Sequence, residues 1–513
     1  MNHRTKRRML RLAACLLFST PLTQAQITLL YTFNSPYDAC CPTWSNLIAQ
    51  GRDGRLYSTM PQGVGSAVGA GSWFSFTPPH GLPVIHGITG GPSTAASGLT
   101  LGVDGNLYGA TEHGGLGNGA YGVLFKVSGA GVVPVYYFTG GTNGSYPVGA
   151  PIQGVDGYLY GTTYDGSTVG VVYKVDPNSG TLIWVHALPS GTKAPLIVAD
   201  DGNFYGTYPH GGMTINGVAP ANDNGGGVFR VSPQGALTGV YNINPLSTTS
   251  NGGYGDGGQP WGPVMQGADG WLYGTAGGYG QYNGGTLYKV ALDGSGFIIL
   301  HNFQAADGVA PQGGLIQGDG GYVYGLCSDH GVAQGQQVAS GTLFKIDTSG
   351  HNFNLLFNFY RASSSSGVGP GSLPLATPML HTSGVIYGLT STGGTSLMGS
   401  STYGAYDDGG ELFSYPAGSG PIISIVGRRS AMVNDRIEII GQGFLGAIGV
   451  TFGGILAQTS PGAMKIVSDT YMEVVVPPGA RTGPVRVFTQ SATYSTLYNF
   501  KITCGGPCIA PMP

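Results

Sequence analysis

The sequence has little charge and no long helical pattern. Only 9% of its 513 residues are charged. After residue 25, no long stretch repeats apolar residues at the i, i+3, i+4 and i+7 spacing of an amphipathic helix. Glycine contributes 94 residues, and a hydrophobic content of 41% with 11% aromatic residues is sufficient for folding. A chain this long exceeds one compact core, so we expect two or more domains of short strands joined by glycine turns.

Familiar catalytic and cofactor motifs are also missing from the sequence. It contains no GxSxG nucleophile elbow, no HExxH zinc motif, no phosphate-binding loop and no EF-hand loop. Its cysteines are not arranged with a second Cys/His pair at zinc-finger spacing. We therefore assign no catalytic residue, no metal and no cofactor from motifs.

The first 25 residues predict a signal peptide. Five basic residues precede the apolar run 12–18, and Thr23-Gln24-Ala25 supplies a small-residue cleavage site before Gln26. The run is too short to cross a bilayer, and no other segment is apolar enough to do so. The favoured prediction is a secreted or cell-surface protein. An alternative is lipoprotein anchoring through Cys15, although Arg11 interrupts the apolar residues before it.

Removal of this segment changes the charge of the protein. It takes away five basic residues and no acidic ones, so the formal net charge moves from −3 to −8. A mildly acidic surface that is poor in lysine argues against nucleic acid and against anionic lipid as partners.

Five cysteines remain after residue 25, and an odd number leaves at least one free or paired outside the chain. Cys504 and Cys508 flank a Gly-Gly-Pro turn that would bring them together, so we predict a disulfide between them. The neighbours Cys40 and Cys41 would strain the peptide between them if they bonded to each other. The pairing of Cys40, Cys41 and Cys327 therefore stays open.

A short unit recurs seven times in the sequence. The pattern Asp-Gly-x-Leu-Tyr begins at positions 53, 104, 156, 201 and 269, and weaker copies begin at 320 and 383. Asp-Gly predicts a tight turn, and the Leu-Tyr-Gly-Thr that follows alternates as a strand. A glycine-rich loop and two further alternating segments complete each unit. Four antiparallel strands per unit are typical of a propeller blade, so we predict an all-β, seven-bladed β-propeller.

The two ends of the array complement each other. The seventh unit stops after its third strand near Tyr415, whereas residues 27–33 look like a fourth strand without the first three. Together they would form one blade and close the ring without leaving a gap between exposed sheet edges. We therefore predict that the propeller spans residues 26–418 and that the strand 27–33 completes its last blade.

The repeated segments Leu-Tyr-Gly-Thr-Thr, Gly-Gly and Gly-Thr-Leu-Phe-Lys-Val resemble the bacterial GloVer-type tandem repeat over about residues 27–418. That repeat is found in exported proteins with varied choices of cell-surface anchor. The resemblance implies no enzymatic activity and supplies no catalytic residues.

The repeat pattern ends near residue 420, and a different pattern of strands follows. Residues 421–503 contain short alternating strands, which predict an immunoglobulin-like β-sandwich, and a tail of residues 504–513 follows. The order Ile-Gly-x-Gly-Phe, Val-x-Phe-Gly-Gly, Val-x-Val-Pro and Gly-x-Val-x-Val resembles an IPT/TIG domain. In bacterial surface proteins, such modules imply a spacer or an adhesive unit.

The best candidates for a functional site lie between the second and third strands of the units, where loops normally open on the ligand-binding face of a propeller. They are Glu112, His113, Tyr164, Asp165, His210, Asp329 and His330. Polar groups on such loops are often only solvated. The functional alternative is a polar ligand site, above all for a glycan whose rings stack on aromatic faces such as those of Trp44, Trp73, Trp261 and Tyr279. A histidine beside a carboxylate also suits a metal site or a catalytic pair.

These features predict an exported, non-enzymatic binding or adhesion protein whose propeller face recognises a glycan or a cell-surface protein. The alternative is a carbohydrate-active or lactone-type propeller enzyme that uses the acids and histidines of the loops. A purely structural component of an envelope or matrix is a third possibility.

Overall fold

The computed structural model is all-β. It describes residues 26–33, 47–61, 71–88, 92–95, 97–115, 120–128, 131–165, 169–220, 225–245, 255–331, 338–361, 371–392, 409–457 and 462–503. The predicted signal peptide, the predicted Cys504–Cys508 disulfide, Cys40, Cys41 and Trp44 all lie outside these ranges. Within them the helical segments are 3-10 turns, at Gly141–Asn143, Asp319–Gly321 and Phe444–Gly446. The same part of the chain has no helix long and apolar enough to cross a bilayer.

Seven antiparallel sheets contain the repeats. Their strands in the first half of the array are β1 (Thr28–Thr32), β2 (Ala49–Gln50), β3 (Leu56–Met60), β4 (Ser72–Phe76), β5 (Val84–Gly87), β6 (Pro92–Ala95), β7 (Thr100–Leu101), β8 (Leu107–Gly114), β9 (Val123–Ser128), β10 (Gly131–Tyr137), β11 (Ile152–Gln153), β12 (Leu159–Thr162), β13 (Val171–Asp176) and β14 (Thr181–Ala187). Those in the second half are β15 (Ile197–Val198), β16 (Phe204–Tyr208), β17 (Gly227–Val231), β18 (Leu237–Asn242), β19 (Met265–Gln266), β20 (Leu272–Ala276), β21 (Thr286–Val290), β22 (Ile298–Asn302), β23 (Ile316–Gln317), β24 (Tyr322–Cys327), β25 (Val338–Asp347), β26 (Asn354–Arg361), β27 (Met379–Leu380), β28 (Val385–Thr390) and β29 (Glu411–Pro416).

Neighbouring strands within a sheet are consecutive in the chain. The orders are β2-β3-β4-β5, β11-β12-β13-β14, β15-β16-β17-β18, β19-β20-β21-β22 and β23-β24-β25-β26. The second sheet has the order β10-β9-β8-β6, and the two-residue strand β7 also pairs with β8. Such up-and-down sheets are the blades of a β-propeller, so the repeat builds the sheets that its sequence predicts.

The last sheet combines the two ends of the array. Its order is β1-β29-β28-β27, and β1 runs antiparallel to β29 with Thr28 opposite Ser414 and Thr32 opposite Glu411. The amide of Phe33 also donates a hydrogen bond to the Gly410 carbonyl over 2.9 Å. The N-terminal strand therefore supplies the outer strand that the seventh repeat lacks.

The recurring Leu-Tyr pair makes the contacts between sheets. Because successive side chains in a strand point to opposite faces, the leucine packs against the preceding sheet and the tyrosine against the following one. Seven hydrophobic clusters show this alternation, and one of them joins Tyr387 of the last sheet to Leu56 and Phe74 of the first. Each fully buried side chain of this size contributes about 1.5–3 kcal/mol.

The glycine after the recurring tyrosine is required by a close approach. An added Cβ on Gly109 would lie 2.7 Å from Cζ of Phe125, and one on Gly388 would lie 2.3 Å from Cζ of Phe413. The aromatic ring of the third strand therefore occupies the space of the missing side chain. This contact explains why six of the seven repeats have glycine after the tyrosine, whereas the first has the small residue Ser58.

The recurring aspartate has a structural role in the turn. Its Oδ1 accepts a hydrogen bond from the amide two residues on, as Asp104 does from Asn106. Its Oδ2 accepts the hydroxyl of the tyrosine four residues on, at 2.5–2.8 Å in five repeats. This pairing raises the pKa of Tyr108 together with burial, which is the larger cause. The aspartate and tyrosine of these five repeats thus fix one turn each.

Residues 424–503 form a separate layered unit. Its strands are β30 (Ser424–Ile425), β31 (Ser430–Met432), β32 (Arg436–Ile440), β33 (Ala447–Phe452), β34 (Ile455–Leu456), β35 (Met464–Ile466), β36 (Tyr471–Val475), β37 (Val485–Thr489), β38 (Thr493–Ser495) and β39 (Lys501–Thr503). The sheets β30-β32-β36-β35 and β34-β33-β37-β38 share one core of buried aliphatic and aromatic side chains, and β31 runs parallel to β39. We call this unit the C-terminal module.

The C-terminal module is fixed to the propeller by polar and apolar contacts. The Arg52 guanidinium lies 2.6 Å from Glu438, donates to the Val103 carbonyl and sits 4.5 Å from the centre of the Tyr471 ring. Tyr471 and its neighbours also pack against Leu101 and Val103. On the other side of the module, Lys501 lies 3.9 Å from Asp200. The two units are therefore joined by more than the connecting peptide.

Candidate functional site

The two ends of the repeat sheets differ in what covers them. The end that carries the Asp-Gly turns, here called the lower face, meets the C-terminal module at Arg52, Asp200 and Thr382. Because the strands run up and down, the links from one sheet to the next lie at the opposite end, together with the loops between second and third strands. This end, here called the upper rim, is left open by the module contacts described above.

Links and loops of the upper rim are tied together in a repeating way. Residues of the links pair with residues of the loops in four repeats, at Ser145–Asp165, Gly258–Gly278, Val309–Asp329 and Ser372–Thr392. A non-glycine residue with positive φ follows the first partner in each case: Tyr146, Gln259, Ala310 and Leu373. Each link then runs down into the innermost strand of the next sheet. The rim is thus a fixed frame on which a few side chains vary.

One position in this frame carries different side chains in each repeat. Four residues before the innermost strand stand Val148, Lys193, Trp261, Gln312 and Leu375. The repeat therefore does not require lysine or tryptophan there. The strands of these sheets are built from constant residues, so differences at this position are free to serve recognition.

Lys193 lies between two aromatic rings. Its Nζ is 5.3 Å from the centre of the Tyr164 ring and 5.5 Å from the centre of the Trp261 ring. The edge of the His210 ring approaches Trp261 with 5.7 Å between ring centres. Glu112 is close enough to act electrostatically on Lys193. We call Glu112, Tyr164, Lys193, His210 and Trp261 the Lys193 cluster.

The backbone around Gly191 holds Lys193 against Tyr164. A Cβ on Gly191 would lie 1.6 Å from the Tyr164 carbonyl oxygen, so only glycine permits this approach. Thr192 donates its amide to the Thr163 carbonyl over 3.3 Å. The Thr163 hydroxyl in turn donates to the carbonyl of Asp165 over 2.8 Å. This close backbone contact therefore fixes where the lysine side chain begins, next to Tyr164.

Partial burial makes the Lys193 ammonium unusual. Desolvation lowers its pKa, and the negative charge of Glu112 opposes that shift. Attraction to the faces of the two rings compensates for part of the lost hydration. The cluster thus presents a partly desolvated cation flanked by aromatic faces, which is an arrangement for binding an anion or a ring.

The sequence-predicted residues near the cluster occupy two kinds of position. Glu112 and His113 were expected on a loop, but they lie inside β8, because β6 pairs with that end of the strand and extends it. The exposed His113 meets the Tyr146 ring edge to face, with 5.0 Å between centres. Tyr164 donates its amide to the Tyr146 carbonyl over 3.0 Å. These contacts connect His113 with the Lys193 cluster through Tyr146.

The remaining predicted residues either stabilise the backbone of the upper rim or lie on another sheet than the Lys193 cluster. Asp165 exchanges backbone hydrogen bonds of 2.7 and 3.1 Å with Ser145. Asp329 and His330 belong to the sixth sheet and contact each other, with Nδ1 of His330 3.4 Å from Oδ1 of Asp329 and both side chains more than half exposed. The contacts described for this pair are with its own loop and link, not with the Lys193 cluster. The structure therefore brings together Glu112, Tyr164 and His210, with His113 beside them.

The aromatic residues that the sequence predicts for the site also lie in more than one place. Trp261 belongs to the Lys193 cluster, and the exposed Tyr279 lies against Gly258 of the same link. Trp73 instead stacks on His86 within the first sheet, with 4.0 Å between ring centres. Exposed Tyr121 and Tyr282 add two further rings to the upper rim. Among the residues that the structure describes, these rim aromatics therefore belong to the second to fifth sheets.

Lys193 and Tyr146 were missed by sequence reasoning. The predicted site residues are acids, histidines and large aromatic residues in loops between second and third strands, whereas Lys193 lies on a link between sheets. Alignment of the repeats on their innermost strands places Lys193 opposite Trp261, and this signal was present in the sequence. Among the described residues, no three His, Cys, Asp or Glu side chains form a group that would hold a metal ion.

Comparison with solved structures gives distant similarities. The chain is 9% identical to the β-propeller domain of the Trilobed protease from Pyrococcus furiosus, covering 75% of this chain and 94% of that one, with a TM-score of 0.41. BamB from Moraxella catarrhalis gives 11% identity, coverages of 76% and 100%, and a TM-score of 0.38. The periplasmic gluconolactonase of Pseudomonas aeruginosa gives 16% identity, coverages of 61% and 84%, and a TM-score of 0.39. At these values nothing about activity transfers to this chain.

Sequence comparison is more informative about the family. A search of curated proteins gives no significant match. The family model of the Gloeobacter/Verrucomicrobia repeat matches residues 42–254 and again residues 219–421, which together include most of the chain. The chain therefore belongs to the Gloeobacter/Verrucomicrobia repeat family.

Proposed function

We propose that this protein is an exported, non-enzymatic binding protein that recognises a glycan through the upper rim of its propeller. The Lys193 cluster carries the proposal, because Tyr164 and Trp261 present aromatic faces beside a cation on an open surface. Aromatic faces stack on sugar rings, and a few charged groups around them fix the orientation of a ligand. Cell-surface proteins that carry such glycans are the natural partners of this surface.

The architecture that we propose for this role is a closed propeller of seven blades over residues 26–418. Its support is the series of clusters that joins each repeat sheet to the next and the last to the first. A closed ring leaves no free sheet edge and gives the rim a fixed geometry. We propose an IPT/TIG-type immunoglobulin-like domain for residues 421–503, supported by two sheets that share one core.

Export and anchoring complete the proposal. A signal peptide of residues 1–25 would release a chain that begins at Gln26 and displays the propeller outside the cell. N-terminal sequencing of the protein recovered from the producing cells would identify Gln26 as the first residue. Retention of residues 1–25, or a lipid on Cys15, would contradict this part of the proposal.

A glycan array with three proteins tests the binding role. Wild type is expected to bind at least one class of glycan, and Trp261→Ala is expected to lose most of that binding. Trp271→Ala is the matched control, because Trp271 also packs against a lysine, Lys289, but near the Asp-Gly turns of the lower face. An array without any signal, or equal binding by both variants, would contradict the proposal. Turnover of a bound glycan would contradict its non-enzymatic part.

A further inference from the structure

We propose that the glycan recognised by the Lys193 cluster is acidic, with an anionic substituent of the sugar paired with the Lys193 ammonium. This inference rests on the proposed binding function and adds the chemical class of the ligand. The sugar ring would lie against the exposed aromatic surface of Trp261 or Tyr164. Its carboxylate or sulfate group would reach Nζ of Lys193 between the two rings.

Lys193 is not explained by the architecture of the repeat. Other lysines on the sheets stand at a fixed place in the third strand and donate to backbone carbonyls, as Lys174 does to Pro233 and Lys289 does to Thr348, both over 2.9 Å. Lys193 instead occupies a link position that holds valine, tryptophan, glutamine or leucine in other repeats. A cation at this one place is therefore a local addition to the frame.

The surroundings of Lys193 favour a small anion over a neutral ligand. An anion that approaches from solvent would accept a charge-assisted hydrogen bond from the Lys193 ammonium in a site of reduced dielectric, where such a bond is stronger than in water. The exposed His210 within the cluster and the exposed His113 beside it offer ring N–H groups that can donate to an anion. Glu112 is the acid that acts electrostatically on Lys193. It would orient the lysine side chain and leave the ammonium able to bind an anion that approaches from solvent.

The same observations argue against larger polyanions. One lysine cannot neutralise the successive phosphates of nucleic acid or the headgroups of an anionic membrane. The predicted net charge of −8 after export would repel both of them. A saccharide with spaced carboxylate or sulfate groups needs only one local cation and aromatic faces, and the cluster supplies both.

The experiment compares sugars that differ only in charge. Two matched pairs serve as probes: cello-oligosaccharides with their forms oxidised at C6 to glucuronate, and fully methyl-esterified oligogalacturonate with its de-esterified form. A third pair, a sulfated galactan oligosaccharide and its desulfated form, separates sulfate from carboxylate. Binding is measured by isothermal titration calorimetry at low and at physiological salt with wild type, Lys193→Met, Lys193→Arg and the control Lys289→Met.

The acidic member of at least one pair is expected to bind wild type about ten- to a hundredfold more tightly than its neutral partner, which is the effect of one charge-assisted hydrogen bond. Lys193→Met is expected to abolish this preference, whereas Lys193→Arg retains it and Lys289→Met leaves it unchanged. Added salt should reduce the preference without removing neutral binding. Circular dichroism and thermal melting verify that each variant is folded.

Four outcomes would overturn the inference. If neutral and acidic members bind equally, the acidic class is wrong, and if Lys193→Met keeps the preference, the pairing with Lys193 is wrong; glycan binding at Trp261 stands in both cases. If no probe binds and the glycan array is also empty, both this inference and the proposed function fail. Array binding restricted to neutral glycans would likewise remove only the inference.

Discussion

Removing two hydroxyl groups from the core should make this protein more stable. Tyr173 and Tyr288 occupy the third-strand position where phenylalanine stands in other repeats, and both side chains are fully buried. Neither hydroxyl finds a hydrogen-bond partner within the described part of the chain. We therefore expect Tyr173→Phe and Tyr288→Phe each to raise the free energy of unfolding.

The expected gain follows from two opposing contributions. A buried hydroxyl without a partner costs about 1–3 kcal/mol. Its removal leaves a void of roughly 15 Å³, which costs about 0.4 kcal/mol at ~24 cal/mol per Å³. Each substitution is thus expected to stabilise the protein by about 0.6–2.6 kcal/mol. Burial also raises the pKa of both tyrosines, so wild type should lose stability as the pH rises above about 10, and the double variant should lose less.

Equilibrium unfolding in urea at pH 7 measures the effect, and Tyr160→Phe is the matched control. Tyr160 is buried in the same way, but its hydroxyl donates to Asp156 over 2.5 Å. Its removal should therefore destabilise the protein by about 1–2 kcal/mol. Opposite signs for Tyr173→Phe and Tyr160→Phe are the decisive result. If Tyr173→Phe destabilises as much as the control, the Tyr173 hydroxyl has a partner, such as a buried water, and the reasoning is refuted.

Three further perturbations test the architecture. Arg52→Ala should weaken the attachment of the C-terminal module by about 1–3 kcal/mol and give it a separate transition in calorimetry; a single unchanged transition would contradict a fixed interface. Gly325→Ala should destabilise the propeller by about 2–3 kcal/mol, because its Cβ would lie 2.5 Å from Cζ of Phe344, whereas the unobstructed Gly420→Ala should have little effect in the same urea titration. Hydrogen bonds, of which the one from the Ser349 hydroxyl is the largest cause, lower the pKa of Asp347 to about 2. The contribution of Asp347 to the free energy of unfolding should therefore be present above pH 4 and fade toward pH 2. A difference in stability between wild type and Asp347→Asn that persists at pH 2 would contradict this.

Most of the fold is predictable from the sequence because its turns and strands depend on short local sequence patterns. Asp-Gly turns and strands with period two need only a few neighbouring residues, and seven copies make each rule visible. The missing outer strand of the last repeat was also readable, since β1 has no sheet of its own at the N-terminus. The interface with the C-terminal module was not readable, because the contact of Arg52 with Glu438 joins residues far apart in the chain.

The candidate site was only partly predictable for a related reason. Residue type identified Glu112, Tyr164 and His210. The residue around which they gather is Lys193, which lies on a link between sheets and belongs to no sequence motif. Contact between Lys193 and Trp261 depends on how two consecutive sheets are placed side by side. That placement is set by the packing of the recurring leucine and tyrosine, and it cannot be deduced from the loop sequences alone.

Pairing of β1 with β29 also affects how the protein is assembled. Synthesis from the N-terminus delivers β1 long before residues 411–416 arrive, so β1 must wait with its hydrogen-bonding groups unpaired. During that interval the strand of one copy is able to complete the last sheet of another copy, which is the geometry of strand exchange. A synthetic peptide with the sequence of residues 27–33 would compete for the same place, and would report how long the last sheet stays without its outer strand.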